Sequence, residues 1–179
     1  MLLGTSTFLS PALVQTSRGK NVLANGSFDK LDKAGKSTGW SGFSPNAKVV
    51  KETKAGGVMN HYVVVAPNDK HYAPYVTSRL LLKPQWKTLR ISARMKATKV
   101  KMGARGWQGP RLSLNFKDAN GKMVSQLGGP RLSKNSNWKT MSQDCDVPKN
   151  AKTLEIQVAV FGPSGEFSVD DINIVPNPA

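Results

Sequence analysis

Alternation of apolar and polar residues at period two constrains this chain more than any other feature. Along Leu89–Ala97, the residues Leu89, Ile91, Ala93 and Met95 share one face, and Arg90, Ser92, Arg94 and Lys96 share the other. Successive side chains of a strand point to opposite faces, so this pattern predicts a half-buried strand. Arg111–Lys117 repeats it, with Arg111, Ser113, Asn115 and Lys117 outward, and Leu154–Phe161 alternates again. Tyr72–Leu82 places Tyr75, Thr77 and Arg79 opposite Val76 and Leu80 and ends before Pro84. Tyr62–Ala66 is a short apolar strand, Val49 and Val50 lie in another that runs to Glu52, and Asn21–Ala24 reads as a short strand before an Asn25-Gly26 turn. No segment sustains a helical period. Short strands between Gly, Pro and Asn turns predict an all-β sandwich, and roughly nine to eleven strands suit a single-domain jelly roll of two antiparallel sheets.

The closing strand, Glu166–Val175, breaks the alternation rule. If it is regular, Asp170 falls in phase with Ile172 and Ile174 and points to the core. A buried carboxylate needs a partner, a hydrogen-bond network or a metal. The alternative is a wet aspartate on a local bulge. An inward Asp here predicts that the two ends of the domain are fastened together.

Met1–Lys20 reads as a leader or linker: it is rich in Ser and Thr and lacks a basic n-region and a clear cleavage site. The sandwich is expected over residues 21–176. One cysteine, Cys145, excludes an internal disulfide and a multi-thiolate zinc site. No run of 18 apolar residues exists, so no helical membrane span is expected. Lys plus Arg outnumber Asp plus Glu by 26 to 11, a net charge of +15. That surplus favours polyanions, or simply a solvated lysine surface. No run of five basic residues and no nucleic-acid motif accompanies it. One small repeat, Gly109-Pro110-Arg111-Leu112-Ser113 and Gly129-Pro130-Arg131-Leu132-Ser133, is either chance or two matching edges of one hairpin.

The order of several motifs resembles the jelly-roll carbohydrate-binding modules of the family 4, 9, 16 and 22 type. These are Asn21–Asp29, Gly39-Trp40, the strand Leu89–Ala97, and the Phe116–Gly121 hairpin. Trp138–Ala151 and Phe167–Ile172 complete the set. The resemblance implies a structural calcium ion where the N-terminal motif meets the last strand, with Asp29 and Asp170 as ligands. Carbonyls of Ser27 and of Lys54–Asn60 would assist, and Glu52 is a weaker candidate. The plain alternative is that Asp29 caps a turn. The resemblance also implies that Trp40 and Trp138 are core residues, and it leaves Trp86 open.

Sugar recognition asks for flat aromatics beneath pyranose rings, flanked by hydrogen-bonding side chains. The candidates are Arg90, Arg94, Arg111, Asn115 and Gln157 on the strands, Tyr72 and Tyr75, and Arg105 and Trp107 in a Gly-rich loop. Trp107 folded over the sandwich edge is the structural alternative, and outward arginines on a convex sheet are another. The expected function is a non-catalytic polysaccharide- or oligosaccharide-binding module, secreted or at the cell surface, in the company of a glycan-active catalytic domain. The arginines tilt this toward acidic or sulfated glycans, with neutral β-glucan close behind. Three rivals remain: a structural or adhesion domain, a nucleic-acid binder, and a glycan-cleaving enzyme. The last would need a carboxylate pair such as Glu155 and Glu166, or a base such as His61 or His71.

Overall fold

The computed structural model describes residues 19–68, 73–162 and 164–177. Among them are ten strands: β1 (Trp40–Ser41), β2 (Ala47–Thr53), β3 (Met59–Val65), β4 (Tyr75–Leu81), β5 (Thr88–Lys101), β6 (Gly109–Lys117), β7 (Met123–Arg131), β8 (Ser136–Asp146), β9 (Thr153–Phe161) and β10 (Ser164–Pro176). They form two antiparallel five-stranded sheets, β1-β4-β9-β6-β7 and β2-β3-β10-β5-β8. This is the expected sandwich. The leader expected over Met1–Lys20 lies almost wholly outside the described residues, as do Tyr72 and His71.

The core is the sum of the inward half of each alternation. Leu89, Ile91, Ala93 and Met95 of β5 meet Leu112, Leu114 and Phe116 of β6 and Leu154, Ile156 and Val158 of β9, all fully buried. Each buried side chain of this size contributes about 1.5–3 kcal/mol of hydrophobic free energy. The β6–β7 hairpin turns where the carboxylate of Asp118 accepts from the N–H groups of Asn120 and Lys122, both at 2.9 Å. Trp40 is buried against Phe28 at 4.8 Å and donates from its indole to the Asn25 carbonyl. Trp86 is buried with the core.

Asn21–Ala24 is not a strand. The segment bends into a turn, with Asn25 in the left-handed region (φ 52°). It is tied to the far end of the chain instead. Val22 N–H donates to the Ile174 carbonyl, Ile172 N–H to the Gly26 carbonyl, and Ile174 N–H to Asn21 Oδ1, each at 2.9 Å. Gly26 is required there, because a Cβ would overlap the Ile172 carbonyl oxygen. The first segment and the last strand are thus joined.

The last strand is not regular. Its pairing with β5 shifts between Asp170 and Asn173, and Asp171 takes φ 49°. Phe167 and Val169 face the core before this bulge, and Ile172 and Ile174 face it afterwards. Asp170, whose register partner is the outward Arg94, therefore lies on the outer face of its sheet. It is nonetheless fully buried. The bulge was foreseen only as an alternative, and the wetness expected to go with it is absent.

Candidate functional site

The outer face of the β1-β4-β9-β6-β7 sheet is a lattice of polar rows. Antiparallel register sets Thr77, Gln157, Ser113 and Gly128 in one row and Arg79, Glu155, Asn115 and Gln126 in the next. A third row runs Tyr75, Ala159, Arg111 and Arg131. The middle of this face is small and low: Ala159 and Ser113 are buried, and glycine stands at 128. The rim is tall, with Tyr75 and Trp107 both exposed. A groove of about 510 Å³ results, lined by Trp107, Arg111, Ser113, Gln126, Leu127 and Phe161, with Gly128 in its floor.

Trp107 stands at one end of the groove, 49% exposed, its ring edge-on to Phe161 at 6.2 Å. The Gly-rich loop that carries it is held by arginines from below. Arg111 Nη1 donates to the Trp107 carbonyl at 2.7 Å, and Arg131 Nη1 donates to the Gly106 carbonyl at 2.9 Å. Arg105 closes a turn in that loop through its backbone, whose N–H donates to Gln108 Oε1.

Deeper in the face, Glu155 accepts from Lys117 Nζ at 2.8 Å and from Gln157 Nε2 at 3.2 Å, with Arg79 at 3.8 Å. Burial pushes the Glu155 carboxyl up, but Lys117, Asn115 and Arg79 outweigh it and hold the pKa below the usual range. Two buried polar atoms of the face have no partner: Arg111 Nε and Asn115 Oδ1. A buried polar group left unpaired costs about 1–3 kcal/mol.

Of the sequence candidates, Trp107, Arg111, Asn115, Gln157 and Tyr75 share this face, and Arg105 lies in its loop. Tyr72 is outside the described residues. Arg94 and Arg90 belong to β5 and face outward from the other sheet. Arg90 pairs there with Asp144 through two 2.8 Å bonds. Sequence reasoning missed Glu155 and Lys117 as the charged centre of the face, and it missed Gln126, Phe161 and Arg131. The repeated Gly-Pro-Arg-Leu-Ser motif was the available signal for Arg131.

The opposite face carries a second cluster, closed on itself. Asp170 Oδ2 accepts from Asn60 Nδ2 at 3.1 Å and lies 3.5 Å from Arg94 Nη1, and Asp170 Oδ1 accepts from Asp171 N–H at 2.8 Å. Burial, opposed by Asn60, raises the Asp170 pKa. Arg94 also lies over Trp138 at 4.4 Å, and Tyr62 meets that indole edge-on at 5.3 Å. Trp138 is therefore half-buried on an outer face and is not the core residue expected. Glu166 is exposed on this same sheet, so Glu155 and Glu166 belong to different sheets.

The aspartates expected to hold calcium are anchored on consecutive residues of β3. Asp29 Oδ1 accepts from the backbone N–H of His61 and contacts His61 Nδ1, both at 3.1 Å, while Asp170 holds Asn60. Each aspartate adjoins a left-handed non-glycine residue, Phe28 (φ 60°) or Asp171 (φ 49°). Such strained backbone gathers at functional sites. The carboxylates and nearby carbonyls are hard oxygen donors of the kind calcium takes. Against this, no group of three or more His, Cys, Asp or Glu side chains is present among the described residues. In donor type the residues fit the ion; in number they need backbone carbonyls to complete it.

No protein-family profile and no curated protein matches this chain. Solved structures do. The enzymatically active domain of tailspike protein 4 of bacteriophage CBA120 superposes with a TM-score of 0.63 at 15% identity, over 87% of this chain and 21% of that one. This chain thus spans about a fifth of the length of that domain's chain. A family 16 carbohydrate-binding module superposes at 0.58 and 19% identity, over 87% of this chain and 99% of that one. A family 22 xylan-binding domain from Paenibacillus barcinonensis gives 0.56 at 12% identity, over 90% and 97%. Likeness at this level of identity speaks to fold. The chain has the jelly-roll fold that carbohydrate-binding modules share.

Proposed function

We propose that this chain is a non-catalytic carbohydrate-binding module that holds a glycan in the groove on the outer face of the β1-β4-β9-β6-β7 sheet. The observation that carries this reading is one groove that sets an exposed indole, Trp107, beside the polar side chains of Arg111, Ser113 and Gln126. A pyranose ring offers an apolar C–H face to the indole and hydroxyls to these side chains. Gln157, the register partner of Ser113 on β9, supplies a further hydroxyl partner beside the groove. The fold shared with family 16 and family 22 modules agrees with this reading.

The charges of the face agree with binding without cleavage. Glycoside hydrolysis uses two carboxylates flanking the scissile bond. Among the described residues the face holds Glu155, which Lys117 keeps ionised, and no second carboxylate beside it. A secreted or surface setting, with the module attached to or partnering a glycan-active catalytic domain, is the natural context for such a binder.

Calcium belongs to the same proposal. Asp29 and Asp170 would hold it with nearby carbonyls, and the ion would supply a crosslink between the N-terminal loop and the last strand. A chelator is expected to lower the melting temperature and added calcium to restore it. An unchanged melt would leave Asp170 to Arg94, Asn60 and the Asp171 N–H and remove the ion.

A glycan array at low and at moderate salt tests the function. Binding that Trp107→Ala abolishes, with the melt unchanged, supports the groove. Silence on every glycan would transfer the protein to the adhesion reading.

A further inference from the structure

The repeated pentapeptide has a structural meaning. Gly109–Ser113 runs along β6 and Gly129–Ser133 along the end of β7, and antiparallel pairing makes Arg111 and Arg131 direct register partners. The leucines of the two copies, Leu112 and Leu132, both enter the core, so both arginines face out. Side chains directly opposite on neighbouring strands have Cβ atoms about 4.5–5.5 Å apart, and like charges there are destabilising. Burial, and then the charge of Arg131, lower the Arg111 pKa. Among the described residues no carboxylate relieves this repulsion. Arg79, Arg90, Arg94 and Lys117 all have ion pairs, whereas neither Arg111 nor Arg131 has one among the described residues.

The two guanidiniums are nevertheless held in place. Each gives one Nη1 proton to a carbonyl of the Trp107 loop, at Gly106 or Trp107. Arg111 also has a berth cut for it: Gly128 lies beneath its Nη2, where any Cβ would overlap that nitrogen. A guanidinium offers five N–H donors, so most of each fork remains free. Arg111 Nε is buried and unmatched, so the Nη groups are the donors an anion would meet. Two fixed forks side by side, unpaired and next to an exposed indole, are a receptor for an oxyanion carried on a ring.

We infer that Arg111 and Arg131 form a twin-arginine anion site that selects glycans bearing a carboxylate or sulfate group on the sugar seated against Trp107. This rests on the glycan-binding role proposed above and names the ligand class. Surface charge alone would attract any polyanion. The site differs in demanding an anion at one fixed place beside the indole.

The test uses the full chain in titration calorimetry against polygalacturonate, a sulfated galactan and a neutral galactan, with duplex DNA as a non-glycan polyanion. Arg131→Gln is the first variant, because Arg131 is exposed and its loss should leave the fold intact. Gly128→Ala is the second, since it displaces the Arg111 guanidinium without removing charge. Lys83→Gln/Lys149→Gln, in the turns around Trp86, is the charge control. We expect one charged galactan to bind more tightly than the neutral one, and each groove variant to weaken it about tenfold, the loss of one charge-assisted contact. The control should bind as the parent does. Which charged polymer responds separates carboxylate from sulfate. Equal binding of the neutral polymer, unmoved by Arg131→Gln, would overturn the anion site while leaving glycan binding intact. Equal losses in the control and in Arg131→Gln, or DNA binding as tight as any glycan, would reduce the effect to surface charge and also overturn it. No binding to any polymer would remove the inference together with the role it rests on.

Discussion

The two outer faces of this sandwich each place an arginine beside a tryptophan, and they use them in opposite ways. On the β2-β3-β10-β5-β8 sheet, Arg94 has its indole, Trp138, and its carboxylate, Asp170, and Asn60 completes the set. On the other sheet, Arg111 holds the backbone of Trp107 and meets a second arginine, with a buried N–H left over. In the first cluster the arginine has both an indole and a carboxylate from the protein, whether or not calcium joins Asp170. The second carries two arginines with no carboxylate partner among the described residues, and the glycan proposed above is what would occupy it. Residue type does not distinguish the two; hydrogen-bond satisfaction does.

The paired tryptophans offer the sharpest way to break this comparison. Trp107→Ala is expected to weaken glycan binding by tenfold or more, about 1.4 kcal/mol, with little change in melting temperature. Trp138→Ala should do the reverse: normal binding, and a melt lowered by a few degrees, since it strips Arg94 of a contact of about 0.5–2 kcal/mol. Calorimetry of both variants decides it, and exchanged outcomes would mean that the finished face is the binding face.

Asp170→Ala should cost about 1–3 kcal/mol, because it leaves the buried Asn60 amide without its acceptor. Denaturant midpoints measure this. A loss below about 0.5 kcal/mol would mean that water replaces the carboxylate and that the face is not closed.

Next in size is an opposed pH response of the two faces. Glu155 has a folded-state pKa below its ordinary value. Its contribution is present above the ordinary glutamate pKa and is lost as pH falls through the folded value. Asp170 has a raised pKa. Its contribution is present below the ordinary aspartate pKa and is lost as pH rises through the folded value. Melting curves from acid to neutral pH, recorded with chelator present, should show Glu155→Gln flattening the loss on acidification and Asp170→Asn removing the opposing trend. Identical slopes in both variants would sink the contrast.

The smallest effect concerns Cys145. Burial, reinforced by Asp146 and Asp144, raises its thiol to about 11. The thiolate is the reactive form, so alkylation at neutral pH should be slow in the folded chain and fast in denaturant. Rapid labelling of the native protein would show that the β8 edge opens.

Much of this was legible from alternation. The inward halves of β4, β5, β6 and β9 are the core, and their outward halves are the polar faces, because side-chain direction in a strand is local geometry. The outward residues Arg111, Asn115, Gln157 and Tyr75 of the groove's sheet face were visible for that reason. Asn21–Ala24 was misread because a short apolar run is equally consistent with a turn that buries Leu23.

The sequence by itself determined which residues lie outward on each strand and where most turns fall. Only the tertiary structure decided which outward residues meet. Period two assigns a face but not a sheet, so Arg94 and Arg111 look alike until β9 inserts between β4 and β6, and β5 joins the other sheet. Strand pairing is a long-range choice made by burial across the whole sandwich. The bulge after Asp170 is a choice of the same kind. It depends on the N-terminal loop, whose Gly26 lies more than a hundred residues away in the chain and accepts the Ile172 hydrogen bond.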